Sequence, residues 1–228
     1  MSICIYDDKI EYFKSIYKIF KKRFYYTLEN KDMFNVFLSG GSTPLELYDY
    51  IISKKSHHKI NWNKINFFFG DERFIPHDSP ESNFGNAKNH LFDKLKEYDL
   101  NLSPIKTEGD LEESANSYEK TIKEKNALTP DLVFLGMGDD GHTASLFPET
   151  NILKSNKLVD YVKDYGNPKT DRISITFNLI NQAKNIVIFS KFKNKEKIIK
   201  HLIFNHEQKI YPVEKINNEK SEYIFLRE

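Results

Sequence analysis

Apolar positions along the chain follow two patterns in turn, which predicts alternating strands and helices. Short, mainly apolar runs are typical of buried strands, whereas apolar residues that recur every three or four positions are typical of a helix with one buried face. The predicted strands span 3–6, 34–38, 64–69, 132–135, 157–162, 172–177, 185–189 and 223–226, with a short apolar piece within 101–107. The predicted helices run from a cap at Asp7 or Asp8 to about 28, and over about 44–53, 83–96, 111–125 and 194–204.

This alternation predicts an α/β fold. We expect a mostly parallel sheet with helices on both faces, a three-layer, Rossmann-like arrangement. No linker, low-complexity tract or internal repeat interrupts the chain, so we expect a single domain over 1–228. In such folds ligands bind at the carboxyl ends of the strands. Three glycine-marked stretches follow predicted strands, at 38–44, 70–73 and 136–142, and they are candidate parts of one site.

Composition narrows the class of protein. Lysine plus arginine (34) and aspartate plus glutamate (33) nearly cancel and leave a net charge of +1. This balance disfavours a nucleic-acid partner held by an overall basic field. The single cysteine, Cys4, cannot form an intramolecular disulfide, which fits a reducing compartment. The sequence has neither a signal-peptide pattern nor a membrane-length apolar stretch. We therefore expect a cytoplasmic protein without a membrane partner.

The stretch 39–44 has the composition of a phosphate site. It reads Ser-Gly-Gly-Ser-Thr-Pro, follows a predicted strand and opens a predicted helix. Gly40 and Gly41 allow close approach of the backbone to a ligand, and Ser42 and Thr43 add hydroxyls beside the unpaired N–H groups of the helix start. The alternative is a plain strand-to-helix turn in which a serine or threonine caps the helix. The lysine and spacing of a nucleoside triphosphate loop are absent.

Basic residues provide further candidates. Arg73 follows Asp71 and Glu72 just after a predicted strand, so it either contacts a phosphate or carboxylate or is neutralised by its acidic neighbours. Arg172 opens a predicted strand and Lys195 opens a predicted helix. Each of these two adds positive charge at the ligand edge or lies on the surface.

The stretch 136–142 carries the candidate catalytic base. Gly-Met-Gly-Asp-Asp-Gly-His matches a dinucleotide-binding pattern, but Asp139 and Asp140 would repel a pyrophosphate, and Pro148 leaves no room for the helix that must follow. A neutral imidazole such as that of His142 accepts a proton from water when a carboxylate orients its other nitrogen. Either aspartate is near enough in sequence for that role. The alternative is a capping or structural histidine.

The remaining histidines do not predict a metal site. They lack the spacing of metal ligands, so we expect no metal. These six histidines are His57, His58, His77, His90, His201 and His206.

Taken together, these stretches resemble the 6-phosphogluconolactonases of the glucosamine-6-phosphate isomerase/6-phosphogluconolactonase family, over nearly the whole chain. The segments that carry the resemblance are LSGGSTP (38–44), FFGDERFIPHDSPESNFGNAKNHLF (68–92), DLVFLGMGDDGHTASLFP (131–148), RISITFNLINQAKNIVIF (172–189) and YPVEKI (211–216). The resemblance implies hydrolysis of 6-phospho-D-glucono-1,5-lactone in the oxidative pentose phosphate pathway, without cofactor or metal.

The resemblance also implies roles for individual residues. His142 would be the base that activates water, with Asp139 or Asp140 as its orienting carboxylate. Arg73 would contact the phosphate or the reacting end of the substrate. The residues implied for phosphate binding are Gly40, Gly41, Ser42, Thr43, Arg172 and Lys195. The implied partner is a small phosphorylated sugar lactone, with a functional link to glucose-6-phosphate dehydrogenase.

Two alternatives remain open at this point. The chain also resembles the glucosamine-6-phosphate deaminases, which share the phosphate loop and the Asp-Gly-His. That family typically has DEY where this chain has DER (71–73), and roughly AFNEP where it has ASLFP (144–148). Both positions favour the lactonase. The third alternative is a non-catalytic sugar-phosphate sensor or a domain docked to a dehydrogenase, which would not need a base such as His142.

Overall fold

The computed structural model describes residues 2–205 and 208–227. His206, one of the six histidines predicted not to bind a metal, lies outside the described residues. The first and last residues of the predicted domain, 1 and 228, lie outside them as well. The strands are β1 (Ser2–Tyr6), β2 (Phe34–Leu38), β3 (Ile65–Phe69), β4 (Asp71–Arg73), β5 (Asn101–Leu102), β6 (Leu132–Leu135), β7 (Val159–Tyr165), β8 (Thr170–Ile175), β9 (Ile186–Lys191) and β10 (Ser221–Leu226). The helices are α1 (Lys9–Leu28), α2 (Ser42–Ser53), α3 (Asn83–His90), α4 (Leu111–Glu124), α5 (Phe177–Ile180) and α6 (Glu196–Phe204).

The main sheet is parallel, as predicted. In the described part of the chain it has seven strands in the order β1-β10-β9-β6-β2-β3-β5. Every residue of β2, β3 and β6 is buried. Strands buried on both faces are expected where helices cover a parallel sheet on both sides. Aromatic rings fill much of this core; those of Phe37 and Phe68, for example, stack with centroids 4.7 Å apart. The predicted α/β class is confirmed.

Helix boundaries follow local chemistry, with one difference from the prediction. The cap of α1 is Asp8, whose Oδ1 accepts a hydrogen bond from the Glu11 N–H at 2.8 Å. The helix predicted over 83–96 ends at His90, and a short 3₁₀ turn covers Phe92–Lys94. Leu91, with φ −126° and ψ −62°, leaves the helical conformation, and its side chain is buried in the core. Tertiary packing therefore ends α3 six residues earlier than predicted.

A second, antiparallel sheet was not predicted. Within the described residues it has three strands in the order β4-β8-β7. The predicted strands 157–162 and 172–177 pair with each other here and do not join the parallel sheet. β8 also pairs with β4, in a register that sets Arg73 opposite Arg172. This small sheet is therefore the element that brings two arginines from distant parts of the chain together.

No helix in the described residues combines the length and apolarity needed to cross a membrane.

Candidate active site

A cavity of about 210 Å³ lies at the carboxyl ends of the parallel strands, where the glycine-marked stretches meet. A wider cleft of about 870 Å³ adjoins it, and the two share Arg73, Gly138, His142 and Arg172. The predicted site residues on the cavity wall are Gly40, Gly41, Ser42, Thr43, Arg73, His142, Arg172 and Lys195. Asp139 and Asp140 line the cleft. The structure thus brings all of the predicted site residues together, while their roles stay predictions.

The start of α2 is built to face a ligand. Its N-cap is Gly41, with φ +95° and no side-chain hydrogen bond to the helix, while Ser42 and Thr43 lie inside the first turn. The alternative in which a serine or threonine caps this helix is therefore wrong. Ser42 and Thr43 of the first turn border the cavity, and the positive end of the helix dipole favours an anion there.

Glycine at position 40 is required by a close contact. A Cβ there would overlap the Asn83 side chain. Asn83 also lines the cavity, and its Nδ2 donates to the Asp71 carbonyl at 2.8 Å. The 39–44 loop and the start of α3 are thereby packed directly against each other.

The two acidic residues before Arg73 are both buried, and both accept hydrogen bonds from Asn83. Glu72 is buried and accepts hydrogen bonds from the backbone N–H groups of Arg73, Asn83 and Phe84 and from the Ser82 hydroxyl, so it anchors the start of α3. Burial raises the pKa of Glu72, and the backbone N–H groups offset part of that rise. The Glu72 carboxylate therefore serves as an acceptor for backbone N–H groups at Arg73 and at the start of α3.

Asp71 is buried on the cavity wall, and sequence reasoning considered it only as a neutralising neighbour. Its Oδ2 accepts a hydrogen bond from the Ser145 hydroxyl at 2.7 Å. Asn83, the first residue of α3, was not predicted as a site residue, and it too lines the cavity. The signal that could have identified both is their position directly after a glycine-broken strand and at the start of the next helix.

Arg73 lines both the cavity and the cleft. Its Nη1 donates to the Glu81 carbonyl at 2.5 Å. Among the described residues its Nε is buried without a hydrogen-bond partner. A buried donor without a partner costs free energy, and a bound anion would remove that cost.

Arg172 is buried, although a surface position was its default expectation. Its Nε donates to the Tyr165 carbonyl at 3.0 Å and its Nη2 to the Pro168 carbonyl at 3.2 Å, both at the turn between β7 and β8. The guanidinium also lies over the Phe147 ring, 5.5 Å from its centroid. Burial lowers the pKa of Arg172, and the charge of Asp71 opposes that shift. The turn therefore holds this cation at the boundary of cavity and cleft.

The two aspartates of the 136–142 loop have different partners. Asp140 Oδ1 lies 2.5 Å from His142 Nδ1 and accepts the backbone N–H of His142 at 3.0 Å. Asp139 Oδ1 lies 2.7 Å from Lys195 Nζ. Partial burial by itself raises the pKa of Asp140, but the hydrogen bonds from the His142 ring and backbone outweigh it, so the pKa of Asp140 is lowered. A carboxylate can only accept from Nδ1–H, which leaves Nε2 of neutral His142 as the basic nitrogen.

The imidazole of His142 is held between two neighbours. The Phe147 ring packs on it with centroids 4.4 Å apart. A Cβ on Gly138 would overlap the imidazole, so only glycine leaves room for the ring in this position. These contacts fix the ring plane at the border of cavity and cleft.

Residues 2–205 and 208–227 contain no group of three histidine, cysteine, aspartate or glutamate side chains arranged to hold a metal ion.

Comparison with known proteins adds an independent observation. The family described as glucosamine-6-phosphate isomerases/6-phosphogluconolactonase matches residues 7–225. The 6-phosphogluconolactonase of Chlamydia pneumoniae is 34% identical over 202 residues, 87% of this chain and 77% of that protein. The corresponding protein of Thermotoga maritima is 38% identical over 168 residues, 74% of each chain. The crystal structure of a Thermotoga maritima 6-phosphogluconolactonase superposes with a TM-score of 0.87 at 28% identity, covering 100% of this chain and 99% of that chain.

A monomeric glucosamine-6-phosphate deaminase superposes with a TM-score of 0.81 at 16% identity, covering 100% of this chain and 97% of that one. That likeness concerns the fold alone. The resemblance inferred from the motifs is confirmed, and the chain belongs to the glucosamine-6-phosphate isomerase/6-phosphogluconolactonase family.

Proposed function

We propose that this chain hydrolyses 6-phospho-D-glucono-1,5-lactone to 6-phospho-D-gluconate, with water activated by His142 and without a metal. The observation that carries the proposal is the Asp140–His142 hydrogen bond beside a cavity that also receives the uncapped start of α2. One wall suits a general base and the other suits a phosphate. The names of the relatives support the same activity.

In the proposed reaction His142 acts twice. Its Nε2 takes a proton from water as the water oxygen bonds to the lactone C1. Meanwhile the Nδ1–H of His142 stays hydrogen-bonded to the Asp140 carboxylate, whose charge stabilises the imidazolium. The C1–O5 bond then breaks, and O5 takes the proton from Nε2. The ring opens to the acid, and the histidine returns to its neutral form. A lactone is an activated ester, so a base and donors for the developing oxyanion suffice, and no covalent nucleophile is needed.

In the proposed complex, one set of groups binds the phosphate of the substrate, and Arg73 makes a separate contact with the substrate. The backbone N–H groups and hydroxyls at Ser42 and Thr43 would hold the phosphate, with added charge from Arg172 and Lys195. Arg73, whose Nε is buried without a partner among the described residues, would contact the substrate at its phosphate or at its reacting end. Binding the remote phosphate positions the lactone, so part of that binding free energy lowers the barrier at C1.

The chemistry of the proposed substrate indicates which reaction supplies it. A 6-phosphorylated aldonolactone forms when the C1 of a sugar 6-phosphate is oxidised, which is the reaction of glucose-6-phosphate dehydrogenase. We propose a functional link to that enzyme, in the cytoplasmic oxidative pentose phosphate pathway.

The test compares wild type with His142→Ala on freshly generated 6-phosphogluconolactone, following acid release above the spontaneous rate. We expect His142→Ala to lower kcat by about 10²- to 10⁴-fold, the usual share of general base catalysis, with KM little changed. His90→Ala is the matched control, because His90 forms a similar pair with Asp49 at 2.9 Å outside the cavity. It should keep wild-type kcat.

A wild-type protein that does not exceed the spontaneous rate would overturn this proposal. Release of ammonia from glucosamine 6-phosphate would establish the deaminase alternative in its place.

A further inference from the structure

The loop that carries His142 is in contact with a segment from the far end of the chain. We call residues 210–216 the C-terminal brace. The Val213 N–H donates to the Gly141 carbonyl at 3.0 Å. Gly141 has φ +78°, and a Cβ there would lie 2.7 Å from the Tyr211 Cβ. The brace therefore packs directly on the residue that precedes His142.

Glu214 holds the brace in its conformation. Its side chain is buried, and its Oε2 accepts hydrogen bonds from two backbone N–H groups, those of Ile210 at 2.8 Å and Tyr211 at 2.7 Å. Pro212–Lys215 forms a 3₁₀ turn, so Glu214 reaches back over its own start. Without this carboxylate two backbone donors would lose their acceptor, which favours a different path for the chain at Tyr211.

The brace is in turn attached to α6. His201 Nε2 lies 2.9 Å from the Gln208 carbonyl and 3.2 Å from Glu214 Oε1. Both neighbours are acceptors, so Nε2 carries a proton, which is donated to Gln208. The His201 ring meets the Tyr211 ring edge to face, with centroids 5.3 Å apart. The N-cap of the same helix is Lys195, the partner of Asp139.

The 136–142 loop is thus held at two points by elements that follow it in sequence. Lys195 holds Asp139, and the brace holds Gly141. Such support matters because the loop contains three glycines, whose backbone has little conformational preference of its own. A base acts efficiently only when its supporting contacts keep it in the reactive geometry.

We infer that Glu214 is a positioning residue for the proposed hydrolysis, acting on His142 through the brace and Gly141. The inference rests on the proposed function. It differs from a purely structural role because it concerns the rate of the chemical step. Among the described residues that line the cavity at the start of α2, none belongs to the brace, so substrate affinity should not depend on Glu214.

The test uses Glu214→Ala and Glu214→Gln in the full chain. We expect Glu214→Ala to lower kcat by about 10- to 100-fold with KM within about 3-fold of wild type, as for a displaced catalytic group. Glu214→Gln should lower kcat less than Glu214→Ala, because its amide oxygen still accepts both N–H groups, while its amide nitrogen replaces the acceptor beside His201 Nε2. Hydrogen exchange should show weaker protection of the Val213 amide in Glu214→Ala.

Asp131→Asn is the control for lost stability. Asp131 is buried and pairs with lysines away from the cavity, so this variant should be less stable and yet keep wild-type kcat at temperatures where it is folded. An active wild type with unchanged kcat in Glu214→Ala would overturn the inference and leave the proposed function standing. A rise in KM with kcat unchanged would also overturn it. An inactive wild type would overturn both.

Discussion

Adjacent aspartates in the 136–142 loop have different electrostatic partners. Asp140 accepts from His142, whereas Asp139 pairs with Lys195, whose side chain is 16% exposed. Each pairing has a separate consequence: the first leaves His142 with a free basic nitrogen, and the second ties the loop to α6. Because the side chains diverge, two like charges next to each other in sequence do not compete for one partner.

We expect Asp140→Asn to lower kcat by at least about 10-fold, since the amide no longer stabilises the imidazolium and the base loses its orientation. The matched substitution Asp139→Asn leaves the His142 partner in place and should lower kcat less. Steady-state kinetics at saturating lactone measure the difference. A larger loss in Asp139→Asn would reverse the assignment of the two carboxylates.

The same residue predicts a pH dependence of stability. The pKa of Asp140 is lowered in the folded protein, so its contribution to stability is present above its ordinary pKa and is lost as the pH falls through the lowered value. Wild type should therefore melt above Asp140→Asn near neutral pH, and the gap in Tm should close below about pH 4. Melting curves at several pH values measure it. A gap that grows on acidification would contradict the direction.

At the scale of elements, the site depends on close contacts between loops and strands. The start of α2 packs against Asn83 through Gly40, and the small antiparallel sheet sets Arg73 beside Arg172. Within the loop that follows β6, the backbone at Gly138 packs against the His142 ring. Glycine at these points is a requirement of packing between elements.

Gly138→Ala tests that requirement. The added methyl overlaps the His142 imidazole, which must rotate away from Asp140, so we expect kcat to fall by about 10-fold or more. Gly136→Ala is the comparison two residues earlier: its methyl would meet only the Ser39 Oγ at 3.7 Å, an ordinary contact. We expect that variant to change kcat much less. Equal kcat values for the two variants would contradict the packing argument.

At the scale of the molecule, the two edges of the parallel sheet have different roles. The carboxyl edge carries the cavity, whereas Asp131, just before β6, is fully buried away from it. Its Oδ1 lies 2.9 Å from Lys31 Nζ and 3.0 Å from Lys184 Nζ, and its Oδ2 accepts the Asn35 N–H at 3.0 Å. Asp131 therefore links β2 and β6 to the segment before β9.

Asp131→Asn should destabilise the whole fold. It removes the partner of two lysine ammonium groups and one acceptor oxygen, so we expect a loss of about 2 kcal/mol in the free energy of unfolding. Urea denaturation should show a lower midpoint with an unchanged slope. A midpoint equal to that of wild type would mean that the lysines contribute nothing to the fold.

Much of the architecture follows from local pattern. The apolar runs identified every strand of the parallel sheet in the described residues except β5, and 3.6-residue periodicity identified α1 and α4 within a residue or two. Glycine and polar residues directly after Leu38, Phe69 and Leu135 located the ligand edge. Those features depend on residues close in sequence, whose propensities and spacing act whatever the rest of the chain does.

Other features depend on contacts between distant segments, and only the tertiary structure decided them. The pairing of β4 with β8, the burial of Arg172 under the turn at Tyr165, and the contact of Tyr211 with Gly141 each join residues far apart in sequence. By their spacing in sequence, Asp139 and Asp140 were equivalent candidates for the partner of His142. The packing of α6 beside the loop places Lys195 against Asp139, whereas Asp140 pairs with His142. Sequence alone located most of the residues that reach the site, because strand ends and glycines are local, but it missed Asp71 and Asn83. The fold decided what each of them contacts there, because partner choice depends on burial and on neighbours that only packing supplies.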